Sequence, residues 1–373
     1  MNKKSKVILL PCNSYREEIV YENLEIGLEL LGGIENIVGK EESVLLKPNL
    51  LKKAEVDKAV ITHPTVVGMF ARLMREKGYQ DMALADSCGN GTTSKVIHGT
   101  GMDTYLEKLD IPAIDYTTGI HVDYPKGIQP KELLEKDCVI SLCKMKTHAL
   151  ERITGAVKNS YGFVYGFHKA KGHTLYPSAD SFARMLVDLN QYVKPRLYIM
   201  DGIVAMEGNG PGSGDPAPMN VMLMSRDPVA LDSVFCNLIH LNPEMVPTNY
   251  HGEKMGLGTW RSEEIEIVTP SGEISMKDAV AQYGNPYFDV DRRVVRSGMW
   301  ERLAKALNIF QKKPYIEPER CIRCGICVKS CPVPDKAVDF RKGRENPPVY
   351  DYKKCIRCFC CQEMCPKKAI KVK

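Results

Sequence analysis

The chain lacks any run of about 18 apolar residues, the length a membrane-crossing helix needs, so no span is expected. It also lacks the pattern of a secretory leader. Lys3, Lys4 and Lys6 precede the apolar Val7–Leu10, but that run is short, and Asn13, Arg16, Glu17 and Glu18 follow where a small-residue cleavage site would stand. The stretch reads as a first buried strand of a cytoplasmic protein. Neither G-x-x-x-x-G-K-[ST] nor a G-x-G-x-x-G turn opening a helix after a strand is present, so nothing marks a nucleotide-phosphate cradle. The C-x3-C-x2-C triplet of radical-SAM chemistry is missing from the body of the chain, and no flavin signature is evident. With 44% hydrophobic and 26% charged residues the composition excludes extended disorder, and 373 residues suit two domains, one of them small.

Cysteine is what the chain has in excess. Nine of the fourteen fall in the last stretch, at 321, 324, 327, 331, 355, 358, 360, 361 and 365. A disulfide framework would spread through a small secreted domain, whereas a tight cluster in a cytosolic chain reads as metal binding. The cluster is an internal repeat. Cys321-Ile-Arg-Cys324-Gly-Ile-Cys327-Val-Lys-Ser-Cys331-Pro332 aligns with Cys355-Ile-Arg-Cys358-Phe-Cys-Cys361-Gln-Glu-Met-Cys365-Pro366. Each copy has the C-x2-C-x2-C-x3-C-P spacing of bacterial two-cluster ferredoxins. Three thiolates on a tight loop grip three irons of one cubane, and the fourth, turned away before a proline, reaches the other. Cys321, Cys324, Cys327 and Cys365 are therefore expected to hold one [4Fe-4S] cluster, and Cys355, Cys358, Cys361 and Cys331 a second. Cys360 is left over for packing. Structural zinc is the competing reading, but its C-x2-C pairs seldom carry the third step and the C-P ending.

The charge distribution fits. From Lys312 to Lys373 there are 16 Lys/Arg against 7 Asp/Glu, a net of +9, so the remainder of this +5 chain carries −4. A basic tail raises the question of nucleic acid. Two oxidised cubanes with their thiolates contribute about −4, a nearer counter-charge, and no nucleic-acid partner is expected.

Ahead of the tail, short apolar runs alternate with stretches of helical period. The runs are Val7–Pro11, Val44–Lys47, Met82–Ala85, Ile111–Ile114, Cys138–Leu142, Leu197–Met200, Val221–Met224 and Ile265–Val268. Helices are predicted over Glu17–Leu31, Pro64–Lys77, Ser178–Val193 and Asp227–Leu241, the second and fourth opened by a cap residue and proline. A further helix at about Val294–Phe310 is assigned to docking the tail. The alternation predicts an α/β fold, a mostly parallel, doubly wound sheet over residues 1–312, followed by a small α+β ferredoxin-type iron–sulfur domain over 313–373.

Ligands of such sheets gather at the carboxyl ends of strands. The residues there are Lys47-Pro-Asn49, Thr62-His-Pro64, Lys146-Thr-His148, Thr154-Gly-Ala-Val-Lys-Asn159, Asp201-Gly-Ile-Val-Ala-Met-Glu-Gly-Asn-Gly-Pro211 and Ser225-Arg-Asp-Pro-Val-Ala-Leu-Asp232. In this order, ahead of a two-cluster tail, the motifs resemble the DUF362 family of iron–sulfur proteins. The resemblance implies this architecture and these clusters and names no substrate.

Lys144 to His173 carries six basic residues against Glu151, with His148, His168 and His173, and its glycines and tyrosines suit a loop. A cationic glycine loop at a sheet edge fits an anionic substrate; docking of the anionic tail, or a solvated face, fits the same residues. The histidines suit acid–base or hydrogen-bonding work, metal ligation, or plain packing. Lys146, His148, Lys158 and His168 are the candidates to hold or protonate an anionic small molecule, with Asp201 and Glu207 completing the site. The leading expectation is an oxidoreductase fed by a redox partner such as ferredoxin or a similar reductase. A non-catalytic electron carrier or redox sensor, and a cluster-dependent maturation factor, are the rivals.

Overall fold

The computed structural model describes residues 4–123, 126–166, 168–293 and 312–373. The helix expected at 294–310 lies outside the described residues. Strands β1 (Ser5–Pro11), β2 (Val44–Pro48), β3 (Met82–Leu84), β6 (Cys138–His148), β7 (Arg152–Gly155), β8 (Leu197–Glu207), β9 (Asp215–Ser225), β10 (Ile265–Thr269) and β11 (Gly272–Ile274) form one sheet. The strands β4 (Gly119–Asp123) and β5 (Lys126–Pro130) make a separate hairpin. The sheet order is β11-β10-β1-β9-β8-β6-β2-β3, with β7 paired to β6. The pairs β8–β6, β6–β2, β2–β3 and β1–β10 are parallel. Strand β9 runs antiparallel between β1 and β8.

Period-2 alternation of apolar residues buries both faces. Ile8, Leu10, Val44, Leu46, Ile140 and Leu142 pack on one side with Val20, Leu24, Val67 and Phe70 of helices Glu17–Leu30 and Pro64–Glu76. Their sequence neighbours pack on the other. Val7 and Leu9 meet Leu231 and Phe235 of helix Pro228–Leu238, and Leu45 and Val139 meet Phe182 and Leu186 of helix Ala179–Val193. A sheet covered on both faces is what a mostly parallel core requires, because its strands are hydrophobic on both sides. The caps are as predicted. His63 Nδ1 accepts from Thr65 N at 3.2 Å, and Asp227 Oδ1 accepts from Val229 N and Ala230 N at 2.8 and 2.9 Å, each with proline at the first helical position.

Three expectations are corrected. The segment 144–173 is not a loop: β6 continues to His148, β7 follows, then a 3₁₀ turn over Lys158–Phe163 and a helix over His168–Leu175. Likewise β8 continues through Asp201 to Glu207. Both strands outrun their apolar segments because charged residues inside them are paired across the sheet. The run Ile111–Ile114 forms only an isolated bridge, Ala113 to Leu84.

The tail repeats its sequence in its backbone. Arg323 and Arg357 have φ of 56° and 57°, and Gly325 and Phe359 have φ of 76° and 62°. These left-handed residues, rare outside glycine, curl each C-x2-C-x2-C loop before a one-turn helix, Ile326–Lys329 or Cys360–Glu363. Two short ladders, β12 (Pro314–Ile316) with β15 (Ile370–Val372) and β13 (Val338–Asp339) with β14 (Val349–Tyr350), close the unit.

Candidate functional site

The carboxyl ends of β2, β6 and β8 carry three lysines that are almost wholly buried. Lys144 stands directly opposite Asp201 in the parallel register of β6 and β8, and its ammonium lies 2.6 Å from Asp201 Oδ2. Asp201 also accepts from Tyr15 Oη at 2.8 Å and from His63 N at 3.0 Å. Lys47 sits 3.1 Å from Asp86 Oδ1 and donates to Asn159 Oδ1 at 2.9 Å. Lys146, 1% exposed, donates to Asn49 Oδ1 and Val60 O at 2.7 and 2.8 Å, with no carboxylate in hydrogen-bond reach among the described residues. Burial pushes the Lys146 ammonium well below its ordinary range.

The short motifs thus bond to one another. Asn159, which ends T-G-A-V-K-N, meets Lys47 and Asn49 of K-P-N. Thr62 accepts from Asn49 N and donates to Leu142 O. Asp232, which ends S-R-D-P-V-A-L-D, accepts from Ala156 N and Val157 N at 2.6 and 3.0 Å. Gly155, at φ +53°, leaves the space that the Asp232 carboxyl fills.

The tail is seated on this end of the sheet through helix Cys360–Glu363. His148 Nδ1 accepts from Leu150 N and Glu151 N, both at 3.1 Å, so its proton resides on Nε2, which donates to Glu363 Oε1 at 3.0 Å. Burial holds the His148 imidazole neutral, lowering it to about 3, while its hydrogen bond to Glu363 helps keep that carboxylate down at about 2. Lys52 donates to Glu363 O at 2.7 Å, and Gln362 Nε2 to Asn209 O and Gly210 O at 2.7 and 3.1 Å. Lys368 donates to Gly214 O at 2.6 Å, and Asn209 to Ile370 O at 3.1 Å. The glycine-rich 208–214 segment is therefore a seat for the tail; a Cβ on Gly212 would stand 2.9 Å from Glu363 O.

All fourteen cysteines are free. Cys321, Cys324, Cys327 and Cys365 line one cavity of about 350 Å³ with Ile316, Ile322 and Ile370. Cys331, Cys355, Cys358 and Cys361 line another of about 300 Å³ with Val338 and Phe359. Each cavity thus draws one cysteine from the other repeat, Cys365 for the first and Cys331 for the second. Among the described residues, no three His, Cys, Asp or Glu side chains converge on a single-ion site. Four cysteines lining one apolar cavity fit a cubane, whose thiolates each hold a different iron. Zinc would need them drawn to one point.

The other expected residues are dispersed. Lys158 has its ammonium 6.0 Å from the Tyr161 ring centroid, and its charge is felt by Lys146, His148, Glu151, His173 and Glu363. Glu207 accepts from Asp289 N at 2.8 Å, away from the Lys144–Asp201 pair. His168 lines a cleft of about 180 Å³ with Tyr161, Lys171 and Gln129. Sequence reasoning missed Tyr15, Asp86, Glu151 and Tyr161. Glu151 is fully buried, neither carboxyl oxygen has a partner among the described residues, and burial raises it well above the carboxylate range. The Tyr161 phenol borders the cleft on one side and feels Cys358 and Cys360 on the other. Its only signal was a tyrosine among glycines.

The fold and site define an α/β protein that carries a C-terminal iron–sulfur module. Residues 313–366 match the 4Fe-4S dicluster domain, and residues 44–237, just over half of the chain, match the domain of unknown function DUF362. The chain belongs to the DUF362 family. It is 36% identical over 262 residues to the thylakoid-associated protein sll1697 of Synechocystis sp., covering 69% of this chain and 81% of that protein. Among solved structures it is similar to the lactate racemase apoprotein of Thermoanaerobacterium thermosaccharolyticum, with a TM-score of 0.44 and 13% identity. That likeness covers 62% of this chain, which spans 56% of the racemase chain. Among the described residues no helix is long and apolar enough to cross a membrane.

Proposed function

We propose that the chain is an iron–sulfur oxidoreductase of the cytoplasm that takes electrons from a protein partner and delivers them to an anionic small molecule held on the α/β core. Two [4Fe-4S] clusters, one held by Cys321, Cys324, Cys327 and Cys365 and one by Cys355, Cys358, Cys361 and Cys331, supply one-electron chemistry when bound. The observation that carries the reading is the asymmetry of the tail. Cys324 is exposed and Ile322 beside it is 55% exposed, whereas Cys358 and Cys361 are buried on the turn that Gln362 and Glu363 fasten to the core. The outward foursome is the side for a redox partner, such as ferredoxin or a similar reductase. The inward one acts electrostatically on Tyr161, through Cys358. Lys158 and His168 are the residues to meet the anion. Lys146 and Asp201 order the buried polar network at the strand ends, and Glu207, which accepts from Asp289 N, takes no part in the site.

Anaerobic protein is expected to contain close to eight iron and eight sulfide per chain, since the repeat supplies eight cluster-type thiolates. Cys365→Ala should damage the cluster of Cys321, Cys324 and Cys327, across the repeat. Damage confined to the cluster of Cys355, Cys358 and Cys361 would refute the crossed ligation. Cys360→Ser should leave the iron content unchanged.

Lys158 decides between substrate binding and electron carriage. Mass spectrometry of anaerobically purified protein should find a small anion released on denaturation. Lys158→Ala should weaken its retention about ten- to a hundredfold, the value of one charge-assisted hydrogen bond, with cluster potentials unchanged. The bond from His148 to Glu363 favours the second reading, a non-catalytic carrier or sensor whose basic residues serve the tail. Under that reading Lys158→Ala lowers the cluster potentials, because the ammonium stabilises the added negative charge, and no anion is retained by either protein.

A further inference from the structure

The two halves of the tail repeat are not equivalent, and their offset of 34 positions locates the differences. Both C-I-R-C loops carry the same arginine, Arg323 or Arg357, so that charge is matched. Two other positions are not. Exposed Lys329 corresponds to buried Glu363, and Ile316 corresponds to Tyr350. Ile316 and Pro348 line the outward cavity, whereas Tyr350 and Pro314 line the inward one. These are exchanged pairs under the same offset, so Ile316 holds in one half the place that Tyr350 holds in the other.

Burial and charge both disfavour an added electron on the inward side. Reduction adds negative charge, which a buried site stabilises poorly, and Cys358 and Cys361 are buried where Cys324 is exposed. Glu363 adds a carboxylate whose charge is felt by Cys358 and Cys360, where the outward half has a lysine. The remaining difference acts the other way. Tyr350 Oη donates to Cys361 Sγ at 3.1 Å. Among the described residues it is the one hydroxyl that donates to a cluster-type sulfur; outward Cys365 Sγ accepts from a backbone amide, Ala369 N, at 3.3 Å. A hydrogen bond to a ligand sulfur strengthens as that sulfur gains charge, so it raises the reduction potential of the cluster held there.

We propose that the Tyr350 hydroxyl sets the potential of the inward cluster. It offsets burial and the Glu363 charge, so that the two clusters stand at near-equal potential and an electron arriving outside can pass inward. In that step the outward cluster is oxidised by one electron and the inward one reduced by one. No bond is made or broken, and the hydroxyl proton stays on Tyr350 in both states. The inference rests on the oxidoreductase reading for the direction of flow, and adds the residue that permits it. Tyr350 is itself held in place. The Tyr352 ring stacks on it with centroids 5.6 Å apart, and Tyr352 Oη donates to Pro314 O at 2.9 Å.

The test is a redox titration of the anaerobic full chain with dithionite as electron donor, followed by electron paramagnetic resonance of the reduced clusters. Tyr350→Phe keeps the ring and removes the donor. One of the two one-electron steps is expected to fall about tenfold in its equilibrium constant, or about 59 mV, the low end for a hydrogen bond to a charged group. The other step and the iron content should not change. In wild type the two steps should lie within about that same interval, and in Tyr350→Phe the step that moved should be the lower. Tyr352→Phe loses a hydroxyl that touches no sulfur and should move neither step. Ile316→Tyr puts a donor in the matching place of the other half and should raise the other step. Steps unmoved in Tyr350→Phe, or in Ile316→Tyr where Tyr350→Phe loses its iron, would overturn the proposal. So would two steps that fall together, an equal fall in Tyr352→Phe, or a moving step that already lies more than tenfold below the other in wild type. Neither substrate nor partner enters the titration. A shifted step in protein that retains no anion supports Tyr350 and removes the oxidoreductase reading. Unmoved steps in protein that retains an anion remove Tyr350 and leave that reading standing.

Discussion

Asp201→Ala is expected to cost about 3–5 kcal/mol of folding stability, read as a lowered denaturant midpoint at unchanged slope. Lys144, 1% exposed, has its ammonium 2.6 Å from Asp201 Oδ2, and burial already presses it below its ordinary range against the pull of that carboxylate. Removing the carboxylate strands the ammonium in the interior. The same change frees Tyr15 Oη and the amide of His63, which caps helix Pro64–Glu76. A buried charge without its partner costs far more than the net value of the pair. For that reason Lys144→Met combined with Asp201→Leu should recover most of the loss, because an apolar pair of similar volume has no charge to desolvate. The pair of measurements decides what Asp201 is for. A single variant within about 1 kcal/mol of wild type, with turnover abolished, would make it catalytic, as its place in a glycine-rich motif first suggested.

The strands and helices were legible wherever apolar residues kept one period. The Val7–Pro11 and Val44–Lys47 runs and the proline-capped helices at Pro64 and Pro228 fall within a residue or so of their final places at the ends that caps define. What the sequence concealed was charge inside strands. Lys144, Lys146 and His148 alternate with Met145 and Thr147, which is strand periodicity, but three basic residues do not read as buried. Their justification lies elsewhere in the chain: Asp201 is 57 positions from Lys144, and Glu363 is 215 from His148. Long-range pairing leaves no local trace. The antiparallel turn of β9 was hidden as well: the apolar runs Leu197–Met200 and Val221–Met224 leave 201–220 between them, room for a parallel crossover, whereas only Gly208–Gly214 separates the strands themselves. The glycines of that link were noticed as a loop that cradles no phosphate. Their use is close approach of the tail, which a single sequence does not reveal. Cys360, the surplus cysteine, was read as packing; it begins the helix whose Gln362 and Glu363 make the docking bonds.

Stripping the iron is expected to unfold residues 313–373 while leaving the α/β core folded. The tail's buried apolar cluster is Cys327, Cys331, Ala337, Val338, Cys361 and Ile370, and three of these six are the cysteines themselves. Its helices are four residues long and its strands two or three. A unit of this size cannot bury enough apolar surface to offset the entropy of ordering its chain, and the binding of metal becomes its folding energy. The core has no such dependence, since its buried clusters draw on both faces of a nine-stranded sheet. Small folded domains hold unfolding equilibria of about 10³ or more, so amide protection across 313–373 should fall at least about a thousandfold on chelation. Protection in β2, β6 and β8 should persist. The effect should spread one step further, because the seat on the core loses its occupant. Amides of the 208–214 segment, whose carbonyls accept from Gln362 and Lys368, and those of Leu150 and Glu151 behind His148, should exchange faster than the strands that carry them. Retained protection in the tail without iron would mean that its fold is set by protein contacts alone. The cavities ringed by Cys321, Cys324, Cys327 and Cys365, and by Cys331, Cys355, Cys358 and Cys361, would then be preformed cradles rather than sites built by the iron they hold.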